Sequence, residues 1–171
     1  MPGLVGFTQI EVNTGSIDGC ALHVVFDDPG QTTDNTVFIF FGGQDINGDD
    51  FAVTLATPLS GSDRAEMGLG ISFGFQPSSM VSIIDVDSLR LTSSAGGQDD
   101  GAGVDGALLT VGGIGDSTAN PAPTVPATSV RTDDELYDLR PFVGPNDTSI
   151  LVATVNPTDN DNIFAGHIFV T

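Results

Sequence analysis

Every apolar run in this chain is short and is closed within a few residues by glycine, proline, aspartate or asparagine. The runs fall at 4–12, 20–27, 36–42, 51–56, 67–75, 80–86, 88–93, 106–112, 148–155 and 162–170. Short β-branched and aromatic runs with turn residues at regular intervals are the pattern of a β-sandwich or barrel. Two runs alternate. In Val81–Val86 and Ser149–Val155 one face is apolar and the other mixed or polar, as in a strand covered on one side. Val37–Phe41 is apolar on both faces, which predicts a central strand. The expectation is all-β: one antiparallel β-sandwich spanning 1–171, jelly-roll-like, with long acidic loops at one end.

One segment departs from this pattern. Thr132 and Glu135 form a capping box, acids fill the first turn, and Pro141 ends the segment. The spacing predicts one short helix near 133–139, with Leu136 and Leu139 facing the core. The stretch 116–131, with Pro121, Pro123 and Pro126, has no apolar periodicity and reads as a long surface loop.

Charge narrows the partners. Twenty-three acids face four basic residues, all arginine, giving a formal charge of −19. Nucleic acid is a poor partner for such a chain and anionic membranes are disfavoured, since both need a basic face. Few basic groups and many aspartates also suit a saline setting, where the acids serve solubility. Eleven phenylalanines and the Val/Ile runs supply a core that disordered acidic tails lack. No run approaches the length of a membrane span, so membrane insertion is not expected. Cys20, the single cysteine, reads as a small buried apolar residue. The stretch Met1–Phe7 does not carry the charged start and apolar run of a secretory signal. Export would therefore use a signal removed from or lying outside this stretch, or another route. The run ending at Val170 reads as the close of a module from a longer chain.

The acids are concentrated in Gly- and Asn-rich connections, and oxygen-rich loops of that kind bind hard divalent cations. The leading candidate is Asp45, Asn47, Asp49 and Asp50, around Gly48. It begins like an EF-hand loop and then departs from it, with Asp50 at the glycine position and Ala56 at the bidentate glutamate position. Its ordinary reading is a polar Asn-Gly turn. The second group is Asp99, Asp100 and Asp105, with Asp116 completing it after the following strand. The third is Asp159 and Asp161, equally readable as an Asx-rich hairpin loop. Ca²⁺ is the expected ion for all three.

Catalytic readings are weaker. Gly70-Ile71-Ser72-Phe73-Gly74 matches a nucleophile elbow, but it sits in a glycine-rich apolar run rather than at a strand-to-helix turn. His23 and His167 each lie in strand-like runs and read as core or sheet-face histidines. Paired carboxylates for glycoside hydrolysis have no context that raises a pKa, and no tryptophan is present to stack a sugar. Asn146-Asp147-Thr148 is a glycosylation sequon, relevant in a eukaryotic secretory host.

Four stretches, Met67–Phe75, Arg90–Ser117, Asp133–Val143 and Asn156–Phe164, together resemble a module of large, acidic, repeat-rich bacterial surface or secreted proteins. The resemblance implies an extracellular or cell-surface setting, modular architecture and calcium-binding neighbours. It implies no activity and no site residues. The expected function is a non-catalytic, Ca²⁺-stabilised binding or adhesion module for a glycan, matrix polymer or protein. A self-assembling fibre or layer subunit, contacting neighbouring copies of itself, is the first alternative. A metal-dependent hydrolase acting on polysaccharide or ester is the second.

Overall fold

The computed structural model describes residues 6, 8, 10, 22–72, 82–95, 109–111, 118–120, 123, 136–157 and 162–171. These form nine strands: β1 (Thr36–Phe41), β2 (Asp50–Thr54), β3 (Ala65–Ser72), β4 (Ser82–Val86), β5 (Leu89–Ala95), β6 (Leu109–Val111), β7 (Leu136–Asp138), β8 (Ser149–Val155) and β9 (Asn162–Val170). They build two antiparallel sheets. The five-stranded sheet runs β1-β9-β3-β6, with β7 also on β3, and the four-stranded sheet runs β2-β8-β4-β5. β6 and β7 share one edge of β3, meeting Gly70–Ser72 and Glu66–Gly68 respectively.

Both sheets contribute to one core. Met67, Leu69, Ile71, Tyr137 and Ile168 come from the first, and Ile84, Val86, Leu91, Ile150 and Val152 from the second. Each such side chain removed from water contributes roughly 1.5–3 kcal/mol. The alternation anticipated in the sequence is present: β4 and β8 bury every second residue. A two-residue turn joins β4 to β5. Asp87 and Ser88 both take positive φ, 47° and 70°, the type I′ geometry that matches strand twist. One close approach requires a glycine: a Cβ at Gly166 would stand 2.5 Å from the Phe40 ring and 2.9 Å from the Gly68 carbonyl.

Three expectations are corrected. The helix near 133–139 is replaced, over its described part, by strand β7, and no helix occurs among the described residues. A helix would have served Leu136 and Leu139 alone. The strand buries Tyr137, with Leu139 buried just beyond it, and pairs its backbone with β3. On the backbone of Asp138, Asn120 completes the pairing: its side-chain amide donates to the Asp138 carbonyl at 2.8 Å and accepts from the Asp138 amide at 2.9 Å. Tertiary hydrogen bonds and a buried aromatic outweigh a local capping signal. Thr132–Glu135 lie outside the described residues.

Among the described strands Val37–Phe41 lies at the edge of its sheet, not in the centre. Phe38 and Phe40 pack against the core, while Val37, Ile39 and Phe41 remain exposed. Apolarity on both faces measured composition, and only pairing decides position in a sheet. The described part of the run 20–27 carries no strand, and Leu22, Val24, Val25 and Phe26 are exposed. β-branched residues form strands only where a partner edge is in register. The run at 4–12 is described only at Gly6, Thr8 and Ile10, none of them in a strand. Cys20 lies outside the described residues.

Candidate functional site at the acidic pole

Register fixes which strand ends lie together. In the five-stranded sheet Phe41 pairs with Ala165, and Ser72 pairs with both Asn162 and Leu109. In the four-stranded sheet Asp50 pairs with Ala153, Ile83 with Val155, and Ser82 with Ala95. The end of β1 and the start of β2 meet through the Phe40 and Phe51 rings, whose centroids are 4.4 Å apart. So β1, β3, β5 and β8 end, and β2, β4, β6 and β9 begin, at one pole.

At this pole the chain between β1 and β2 carries Asp45, Asn47 and Asp49, and Asp50 opens β2. The turn is locally closed. The Gly48 amide donates to the Asp45 carbonyl at 2.9 Å. One carboxylate oxygen of Asp45 accepts from the Asn47 backbone amide at 3.0 Å and from its side-chain amide at 2.9 Å. Those two bonds, the backbone one first, hold the Asp45 carboxyl below its ordinary value by favouring the charged form. Asp49 accepts from the Asp50 amide at 3.0 Å.

Thr154 anchors this turn to β8, a role no local pattern in the sequence signals. Its hydroxyl oxygen accepts from the Asp49 amide at 2.9 Å, and lies 2.7 Å from the Asp49 carbonyl and 3.1 Å from Gln44 Oε1. The Thr154 amide donates to the same Asp49 carbonyl, and the Asn156 amide to the Asn47 carbonyl. Gly48, at φ 107°, crosses so close that a Cβ there would stand 2.3 Å from the Thr154 carbonyl oxygen. Its glycine is set by contact as well as by conformation.

Asp45, Asn47, Asp49 and Asp50 thus share one turn and present oxygen donors, with part of that capacity used inside the turn. Among the described residues no group of three or more His, Cys, Asp or Glu side chains is gathered for a metal. Asp99, Asp100, Asp105, Asp116, Asp159 and Asp161 lie outside the described residues. The strands flanking them are described. β5 ends and β6 begins at the acidic pole, either side of the segment holding Asp99, Asp100 and Asp105; β8 ends and β9 begins there, either side of Asp159 and Asp161. β6 runs away from the pole, so Asp116 follows a strand end pointing the other way.

Beside the turn, between edge strands β1 and β2, is a shallow hollow of about 190 Å³. Phe40, Phe51 and Ile163 contribute apolar lining, and Gln44, Asp49 and Asp50 polar groups. Among the described residues the ion pairs are Arg64–Glu66 and Arg90–Asp85, and neither reaches this hollow.

The other chemical candidates are accounted for by the sheet. Gly70–Ser72 of the elbow-like motif is paired strand, bonded to β9 and β6; Phe73 and Gly74 lie outside the described residues. His167 is half-buried in β9, with the His23 ring edge-on at 5.6 Å. No protein-family model, curated protein or solved structure compared with the chain matches it.

Proposed function

We propose that this chain is a non-catalytic extracellular binding or adhesion module, a jelly-roll sandwich whose acidic pole is stiffened by Ca²⁺. The carrying observation is the convergence of strand ends. Three of the four connections that cross between sheets at this pole contain aspartate groups, and folding brings the ends of all four together. Carboxylates on converging connections repel one another where they come close, and a hard cation held by oxygen donors offsets that repulsion. Strand order supports the finer architecture. β1 pairs with β9, β2 with β8, β3 with β6 and β4 with β5, a rolled-up antiparallel ribbon with β7 added at the edge. Lectin and capsid domains share that plan, and the analogy stays at the level of fold. The resemblance to modules of acidic bacterial surface proteins points the same way, toward a glycan, matrix polymer or protein ligand.

The test is thermal unfolding of EDTA-stripped protein across a calcium titration, with magnesium as control. A specific site filled to ~100 times its Kd adds about 2.7 kcal/mol. That raises Tm by roughly 5–10 °C in a domain of this size. A melting temperature indifferent to calcium would remove the metal from the reading.

A second reading has its own observation. Among the described strands β1 is at an edge, with Val37, Ile39 and Phe41 exposed, the kind of edge that pairs with another chain. Self-assembly through that edge predicts oligomers on size exclusion that Ile39→Lys disperses. The hydrolase alternative draws no support from Gly70–Ser72, which is ordinary paired strand.

A further inference from the structure

Between Leu22 and Asp34 only His23 is drawn out of solvent, while its apolar neighbours Leu22, Val24, Val25 and Phe26 are 57–79 % exposed. Burial of apolar surface would arrange this stretch the other way round. What His23 meets is His167: the ring centroids are 5.6 Å apart and the planes stand at 77°. His167 lies on the outer face of the five-stranded sheet, because Ile168 and Val170 take the inward positions of β9. Its partners in register are Ile39 of β1 and Gly68 of β3, and Gly68 contributes no side chain there. The Nε2 atom of His23 is buried at this contact with no hydrogen-bond partner. A buried nitrogen left unpaired is costly, and an edge-on ring does not satisfy it.

Two imidazoles held together, one with a nitrogen withdrawn from water and bonded to nothing, are the donor set of a borderline divalent ion such as Zn²⁺, Ni²⁺ or Cu²⁺. The separation agrees. With Zn–N of about 2.0–2.1 Å, two imidazoles on one tetrahedral ion have centroids roughly 5–5.5 Å apart. Ligation needs neutral imidazole, and burial, then the charge of His23, favours that form of His167. Calcium, which takes oxygen donors, gains nothing from such a pair.

We propose that His23 and His167 form a two-histidine site for a divalent ion of the zinc class, which pins the stretch 22–26 to the outer face of the five-stranded sheet. Among the described residues no third His, Cys, Asp or Glu joins the pair, so water fills the remaining positions. Glu66, whose charge reaches His167, is bonded to Arg64. The two ligands come from opposite ends of the chain, so the ion closes a long loop. The proposal is independent of calcium and of the reading of this chain as a binding module.

The experiment is a Zn²⁺ titration of the ¹⁵N-labelled whole chain, stripped with EDTA and dialysed, read by long-range ¹H–¹⁵N correlation of the imidazoles. The chain has two histidines, so the four ring nitrogens are observed without ambiguity of residue type. The expected result is that one nitrogen of each ring moves to the metal-bound position together, saturating at one equivalent, while excess Ca²⁺ moves neither. A response of one ring alone would overturn the proposal, since the ion would then be held by that ring with Cys20 or carboxylates. So would no response of either ring, which would leave the His23 nitrogen to a water. These readouts use the wild-type chain and need no variant to fold. His23→Ala and His167→Gln should each weaken zinc binding by at least about ten-fold, because even groups that only orient a ligand are worth about 10- to 100-fold. An affinity unchanged in either variant would place the ion elsewhere. Bound zinc should also slow hydrogen exchange at Leu22–Val25, and unchanged exchange there would overturn the pinning. Zinc ligation with a melting temperature indifferent to calcium would keep this site and remove the calcium reading; calcium stabilisation without zinc ligation would do the reverse.

Discussion

The two poles of the molecule share one use of aspartate and differ in what surrounds it. At the pole away from the acidic connections, β2 leads to β3 and β7 to β8 through turns that are bonded to each other. The Leu55 amide donates to the Thr148 carbonyl, the Leu59 amide to the Asp147 carbonyl, and the Asn146 amide back to the Leu59 carbonyl. Leu55, Leu59, Leu139 and Val143 are buried there as part of the core. The carboxylates are absorbed into the turns. Asp147 accepts from the Gly144 amide at 2.6 Å, and Asp63 from the Ser60 amide at 2.7 Å and from the Ser60 hydroxyl. The Ser60 hydroxyl, then its amide, lowers the Asp63 pKa. At the acidic pole the turn is anchored by backbone and by Thr154, while Asp49 and Asp50 stay exposed beside an aromatic hollow. An acid count cannot distinguish the two cases. At both poles carboxylates accept from amides of their own turns, Asp45 and Asp49 included; what separates the acidic pole is that Asp49 and the exposed Asp50 also lie beside a concave apolar surface.

The comparison is broken most severely at the closed pole. Leu59→Ala empties a site only 3 % exposed and should cost about 2–5 kcal/mol in urea unfolding, with the denaturant slope unchanged. A loss under about 1 kcal/mol would mean that this pole is not part of the cooperative core. Gly48→Ala attacks the anchor of the acidic turn. The added Cβ meets the Thr154 backbone and requires a left-handed residue, so about 2–3 kcal/mol should be lost. Tolerance of that change would show that the turn does not lie against β8.

Between the poles, the His23–His167 pair offers a pH test. Burial first, then the charge of His23, lowers the His167 pKa from its ordinary 6.5, with Glu66 opposing. The unfolded chain therefore takes up a proton at a pH where the folded chain does not. His167 thus contributes full stability above its unfolded value, and that contribution falls as pH drops through 6.5 toward the folded value. The melting temperature should decline between about pH 7.5 and 5.5, and less so in His167→Gln. An identical pH profile for the two proteins would remove the histidine from the argument. The smallest effect belongs to Asp50→Asn without metal, expected within about 0.5 kcal/mol of wild type. A larger gain in stability in that variant would measure the repulsion that the open pole carries.

Much of the fold was legible because alternation is local. Ile150, Val152 and Thr154 face inward two residues apart whatever β8 pairs with, and Asp87-Ser88 breaks the chain between two apolar runs. The capping box at Thr132 misled, since it reports on an isolated segment. The backbone of Leu136–Asp138 instead found β3, and at Asp138 also the Asn120 amide, 18 residues away in sequence. Val37–Phe41 misled in a second way, because an edge strand and a central strand can have the same composition. Of the candidate site, the turn Asp45–Asp50 was readable from its residues. The bonds of Thr154 to Asp49 and Gln44 were not, since they join positions more than 100 residues apart, and the hollow was not, since it forms only where the two sheets meet.

By itself, then, the sequence determined that the chain is β, where most strands and turns fall, and that its acids collect in connections. Those properties depend on neighbours one to four residues away, where side-chain size, branching and backbone freedom act directly. Only the tertiary structure decided which strands lie at the edge and which connections share a pole. It also decided which aspartates end up beside phenyl rings. Each depends on register between distant strands, which is fixed when two faces bury one core together.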